Sequence, residues 1–344
     1  MGQILIKSLL ITSVLIAFAI PGFILRRKNM TGDGAKLTLS NILLYVCQPA
    51  LIVSAFCVFD NADELVLQSI NKVTLLINFC ISGAISLAAI VLVYSVCRLL
   101  FMRYKNKSKA DIYSFIAVFS NCGFLGVPFV QMFTDGNITA VMYLMMFNTV
   151  FTVASWTLGV YLITHDRSDI SAKKVLLNPS MISTAFALLL FFVPQINFFA
   201  MDGCRELGIF PQYLGIMTAP VSMILVGINC AELKPHELFC DKGVYVSSLL
   251  RLIVAPILTF AVAVLFYAVT KSYITTLDIE TDYVFLAPVI AMAMSPASLA
   301  VAMTERFGGE RDVAAAAFIT GTLLALITIP LTILAATELW KVIV

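Results

Sequence analysis

The stretch Ser120-Asn121-Cys122-Gly123-Phe124-Leu125-Gly126-Val127-Pro128 stands inside the apolar run Ile112–Phe133 and breaks it. Pro128 has no backbone donor and its ring clashes with the preceding turn, while Gly123 and Gly126 make a helix easy to unwind. Backbone groups freed in this way cannot face lipid, so they must be buried in protein or line a watery cavity. Asn121 adds an amide donor and an amide acceptor at the same depth. It is either a ligand-binding group or a kink residue bonded to a neighbouring helix.

A second broken run lies far downstream, where Met294-Ser295-Pro296-Ala297-Ser298 interrupts Tyr283–Met303. Serine before proline is a natural helix start, so Ser295 is expected as the N-cap and Pro296 as the first helical residue. Two half-helices that begin near a membrane midplane would aim free N–H groups and positive dipole ends at one place. Such a place suits a carboxylate. The residues expected to form it are Asn121, Gly123, Gly126, Pro128, Ser295, Pro296 and Ser298.

Composition makes lipid the expected solvent. The chain has 344 residues, 60% hydrophobic and 12% charged, against about 25% charged in soluble domains. A spanning helix takes ~20 mainly apolar residues, and ten such runs can be drawn. They are Ile4–Leu25, Leu37–Phe59, Leu67–Leu100, Ile112–Phe133 and Ala140–Thr164, then Val175–Val193, Ile209–Cys230, Val244–Thr270, Tyr283–Met303 and Val313–Ala336. Arg26, Arg27 and Lys28 follow the first run, the wrong order for a cleaved signal peptide. Of the 22 basic residues, 17 fall on one side of this arrangement and 5 (Lys7, Lys72, Arg205, Lys271 and Lys341) on the other. The rich side is cytoplasmic by the positive-inside rule, which places both termini outside.

Proline supplies a ruler for an internal repeat. Pro49 and Pro220 are 171 residues apart, and Pro128 and Pro296 are 168 apart. The offsets agree within three residues, which divides the chain into 1–170 and 171–344. Five spans per half is an odd number, so the halves would insert upside down relative to each other, as in inverted-repeat transporters.

Other chemistry is poorly served. No Asp or Glu lies deep in an apolar run; Asp135 and Glu305 come nearest, each at a helix boundary. Glu305 follows Pro296 by nine residues, about 13 Å along a helix. It is expected as a solvated end residue pairing with Arg306 or Arg311, with gating or proton coupling as the alternative. Arg251 penetrates a span and is expected to snorkel to the cytoplasmic surface, with anion attraction as the alternative. The eight cysteines show neither metal spacing nor a disulfide framework, and Cys204 and Cys240 fall in loops on opposite sides. The chain has no GxxxxGK[ST] loop, and His236-Glu237-Leu238-Phe239-Cys240 lacks the second histidine of a zinc protease. No enzyme activity, cofactor, metal or nucleic-acid partner is expected.

The chain resembles prokaryotic members of the auxin efflux carrier family over nearly its full length. The resemblance is most specific at Asn121–Pro128, at Ser295-Pro296 through Glu305-Arg-Phe-Gly-Gly-Glu-Arg-Asp312, and at Thr320–Pro330. It implies an all-α integral membrane fold of two inverted five-helix repeats, whose fourth and ninth helices cross at proline-broken points. It also implies a scaffold of spans one, two, six and seven through which two copies pair as a homodimer, and a mobile transport domain of the remaining spans. In the plant members the asparagine seven residues before the crossing proline holds the substrate carboxylate, and Asn121 matches that position. The implied function is secondary active transport of a small organic anion, a dicarboxylate or an auxin-like acid, across the cell membrane. A sodium-coupled symporter of the bile-acid type is the alternative, and a membrane receptor a more distant one. With no deep acidic residue, sodium is not expected to drive transport.

Overall fold

The structure, a computed structural model, describes residues 2–32, 34–57, 72–166, 168, 170–199, 201, 203–232, 241–274 and 282–344. The start of the third apolar run, the His236–Cys240 segment and the side chain of Glu305 lie outside the described residues. In chain order the helices are α1 (Gly2–Arg27), α2 (Ala35–Cys57), α3 (Lys72–Phe101), α4 (Lys107–Val118), α5 (Cys122–Phe133) and α6 (Ile138–Thr164). They continue as α7 (Pro179–Phe192), α8 (Arg205–Glu232), α9 (Lys242–Lys271), α10 (Asp282–Ala293), α11 (Leu299–Phe307) and α12 (Arg311–Ile343). Among the described residues, seven helices (α1, α2, α3, α6, α8, α9 and α12) are long and apolar enough to cross a membrane. α5, α7 and α10 are shorter apolar helices. The two interrupted runs are therefore split helices, α4 with α5 and α10 with α11.

Local chemistry sets several helix starts. The side chains of Asn106, Asn137, Asn178 and Asp241 accept hydrogen bonds from the first free backbone donors of α4, α6, α7 and α9, as N-caps do. Large apolar side chains such as Ile6, Leu10, Leu99 and Val269 point outward. That pattern suits helices solvated by lipid rather than water.

The helices pack in two groups. In the first, α1 crosses α8, while α2 packs on α7 and on the first half of α8. The α1–α8 crossing depends on Gly22 and Gly227: a Cβ on either would overlap the other helix's backbone, at Ile224 and at Ala19 respectively. In the second group, α3 packs on α4, α6 and α9, α10 packs on α6 and α9, and α12 packs on α4 and α9. The first half of α1 also lies along α12 and α5.

Ion pairs follow the same division. Arg26 and Lys36 both reach Glu232, at 2.8 and 2.5 Å, within the first group. Arg98–Asp111 at 3.2 Å and Lys109–Asp241 at 3.1 Å lie within the second. Lys7 on α1 meets Asp135, in the turn after α5, at 2.7 Å and joins the two groups.

Candidate functional site

The two split helices meet at their breaks. Phe119, Ser120 and Asn121 run extended and antiparallel to Ser295, Pro296 and Ala297, with Ser120 opposite Pro296. Asn121 N–H donates to the Ser295 carbonyl at 2.8 Å, and Ala297 N–H donates to the Phe119 carbonyl at 2.9 Å. Ser120 and Pro296 thus form a non-hydrogen-bonded antiparallel pair, the one position where a proline's missing donor costs nothing. Backbone groups freed by each break are satisfied by the other break, which is how an unwound segment survives inside an apolar protein.

This pairing corrects two expectations. Ser295 and Pro296 do not start a helix, because the cross-pairing holds 295–297 extended; α11 begins at Leu299, after Ser298. Pro128 is not the crossing residue either. It sits on α5 just past a wide turn at Cys122–Gly126, after the cross-paired residues. Pro128 and Pro296 therefore occupy unlike places in their broken helices, and that arm of the proline ruler fails.

Arg251 is the larger correction. It does not snorkel; it is 0% exposed. Its Nη1 donates to the carbonyls of Ala117 and Val118, at 3.1 and 2.9 Å, and its Nη2 donates to the carbonyl of Met292. Those carbonyls end α4 and α10, so one guanidinium satisfies acceptors at the C-termini of both broken helices. Depth alone suggested snorkelling, whereas orphan carbonyls within reach made burial the better solution.

A cavity of about 690 Å³ of empty space opens on the other side of the break. α2 contributes Ser40, Leu43, Leu44 and Gln48; α7 contributes its N-cap Asn178 and Ser180; α8 contributes Leu225. The opposite wall is Ser120, Asn121, Gly123 and Phe124, then Asn148 to Trp156 of α6, and Ala297, Ser298, Leu299 and Ala302. The cavity thus lies between the two helix groups. Its lining is neutral, yet the N-termini of α5, α7 and α11 all border it, and their dipoles make it attractive to an anion.

Asn121 carries the clearest polar signal. It is 4% exposed, and among the described residues its Nδ2 has no hydrogen-bond partner. Its carbonyl accepts from the backbone of Leu125 and Gly126, both at 3.1 Å, so the residue ends the break at the cavity wall. Asn148, 2% exposed, accepts a hydrogen bond from the Cys122 thiol at 3.6 Å. Gly123 lets both neighbouring amides approach: a Cβ there would stand 2.8 Å from Asn148 Oδ1 and 3.2 Å from Gln48 Nε2.

Of the residues expected at the site, Asn121, Gly123 and Ser298 line the cavity. Ser295, Pro296, Gly126 and Pro128 shape the break without lining it; the Pro296 ring packs on Gly321, and Gly126 faces Met294. Gln48, Asn148 and Asn178 were missed. A lone amide in an apolar run was the available signal for Asn148, in Met146-Phe147-Asn148-Thr149-Val150.

A family model described as membrane transport protein matches residues 5–175 and 163–333, which together span nearly the whole chain. The chain belongs to the auxin efflux carrier family. It is a multi-pass membrane transporter. No curated protein matches it individually. Each of the two matched ranges contains one of the paired breaks, Ser120 in the first and Pro296 in the second.

Proposed function

We propose that the chain is a secondary active transporter that carries a small organic anion, a carboxylate such as a dicarboxylate or an auxin-like acid, by alternating access. The observation that carries this is the buried amide of Asn121, without a hydrogen-bond partner among the described residues, in the wall of a neutral cavity rimmed by three helix N-termini. A carboxylate there gains hydrogen bonds and dipole stabilisation without a fixed positive charge to oppose its release.

The placement of that cavity favours an elevator-like cycle. One wall belongs to α2, α7 and α8, and the other to the crossing, α6 and α11. Sliding the second group against the first would carry the site across while the crossing stays intact. Counted with α7 and the two split helices, the seven long helices make ten spans. Helix contacts also recur with the halves exchanged: α1–α8 with α7–α2, α3–α4 with α9–α10, and α6–α10 with α12–α4. These exchanges support inverted repeats at 1–170 and 171–344, with spans one, two, six and seven as the scaffold of a homodimer in the cell membrane.

With the basic-rich side cytoplasmic, Ser40, Trp156, Asn178 and Ala302 all belong to the cytoplasmic halves of their helices. The cavity then opens inward. The Lys7–Asp135 pair ties the two helix groups on the outer face.

Uptake of labelled carboxylic acids into liposomes of purified protein tests the proposal. Saturable accumulation inside the vesicle is expected. Binding without accumulation would instead identify a receptor.

A further inference from the structure

Half-helix C-termini and unwound carbonyls are where transporters of broken-helix design coordinate a coupling cation. Here the carbonyls of Ala117, Val118 and Met292 fulfil that description. They are already taken. Arg251 reaches them from α9, is fully buried, and its Nη2 also meets the Met292 sulfur at 3.1 Å. Among the described residues the guanidinium donates to these carbonyls and this sulfur and to no carboxylate, and its Nε has no hydrogen-bond partner.

We infer that Arg251 is a tethered cation, which permanently fills the crossing's cation position and makes this transporter independent of sodium. Two physical consequences follow. The negative ends of α4 and α10 are neutralised by a group that cannot dissociate, so the crossing stays assembled whether or not an external cation is present. The charge sits on the C-terminal side of the breaks, outside the cavity lining, while the substrate faces the N-terminal side. Arg251 is accordingly a positioning residue: it holds the two breaks in register and does not touch the anion.

This inference depends on the transporter reading only for its coupling consequence. Cation occupancy is tested without any substrate, by thermal unfolding of the purified full chain at matched ionic strength in sodium, choline or dilute guanidinium chloride. The parent's midpoint should be the same in sodium as in choline, and guanidinium should lower it, as a denaturant does. Arg251→Ala should unfold at a lower temperature, and dilute guanidinium should raise its midpoint by refilling the vacated position. That reversal of sign is not expected of a residue that merely packs. Sodium that raises the parent's midpoint, or guanidinium that lowers both proteins alike, would overturn the inference.

Should Arg251→Ala yield no folded protein, Arg251→Lys decides. It retains the charge with poorer reach and should unfold earlier than the parent while staying insensitive to sodium. Stabilisation of the Lys variant by sodium would show a cation site beside the resident charge and overturn the inference. In liposomes, parent uptake should persist when choline replaces sodium at fixed pH and membrane potential. Protein that takes up no acid in any salt would refute the transport proposal and leave the thermal result standing.

Discussion

Replacing Asn121 by alanine separates a ligand group from a packing group. Among the described residues the Nδ2 of Asn121 has no hydrogen-bond partner, so truncation removes no bond seen to hold the fold. The midpoint of the substrate-free protein should therefore hold or rise slightly. Binding is different, because a hydrogen bond to a charged group contributes about 1.5–3 kcal/mol. At ~1.4 kcal/mol per decade the affinity for the transported acid should fall about 10- to 150-fold. Asn121→Asp should be worse, since it sets a carboxylate against a carboxylate. Ser298→Ala, which removes a hydroxyl from the other broken helix on the same wall, should cost less. The measurement is calorimetric titration of folded protein with the acid that a thermal-shift screen selects, alongside unfolding without ligand. Parent-like affinity in Asn121→Ala, or a loss of stability as large as the loss of affinity, would refute the assignment and make Asn121 a structural kink residue.

Single cysteines at Lys105 and Lys341, in an otherwise cysteine-free chain, should react with an impermeant thiol reagent from opposite sides of the membrane; labelling of both in intact cells would break the topology. Gly227→Ala should destabilise the α1–α8 crossing by about 1–3 kcal/mol, because its Cβ would stand 2.8 Å from the Phe23 nitrogen with only backbone to yield. Unchanged thermal unfolding would show that the helices can separate cheaply.

The split of α4 from α5 and of α10 from α11 was legible because glycine, serine and proline inside apolar runs are local signals. The polar lining of the cavity was partly legible too, through Asn121 and Ser298. The register of the crossing was not. It depends on hydrogen bonds between residues 119–121 and 295–297, and no local propensity encodes which extended residue faces which. Ser295-Pro296 illustrates the cost of local reasoning: its helix-start chemistry is sound, yet the cross-pairing overrides it. Asn148 and Gln48 escaped for a related reason. A single amide in a hydrophobic helix announces a polar contact but does not say which helix it will face.

Arg251 shows why depth alone misleads in a membrane. Snorkelling compares the apolar phase with the interface, and for an isolated helix that comparison favours the surface. A broken helix changes the alternatives, because its last carbonyls have lost their acceptor role in the helix and are as much in need of a donor as the guanidinium is of acceptors. Two such ends, from α4 and α10, supply enough carbonyls to replace water around one cation. Two such beginnings, at α5 and α11, supply the dipoles that draw an anion. The crossing thereby keeps cation and anion chemistry on opposite sides of Ser120 and Pro296. A permanently charged residue serves on the side that must stay assembled. On the proposed reading neutral donors serve on the side that releases the anion, where a lysine or arginine would hold a carboxylate too tightly for turnover.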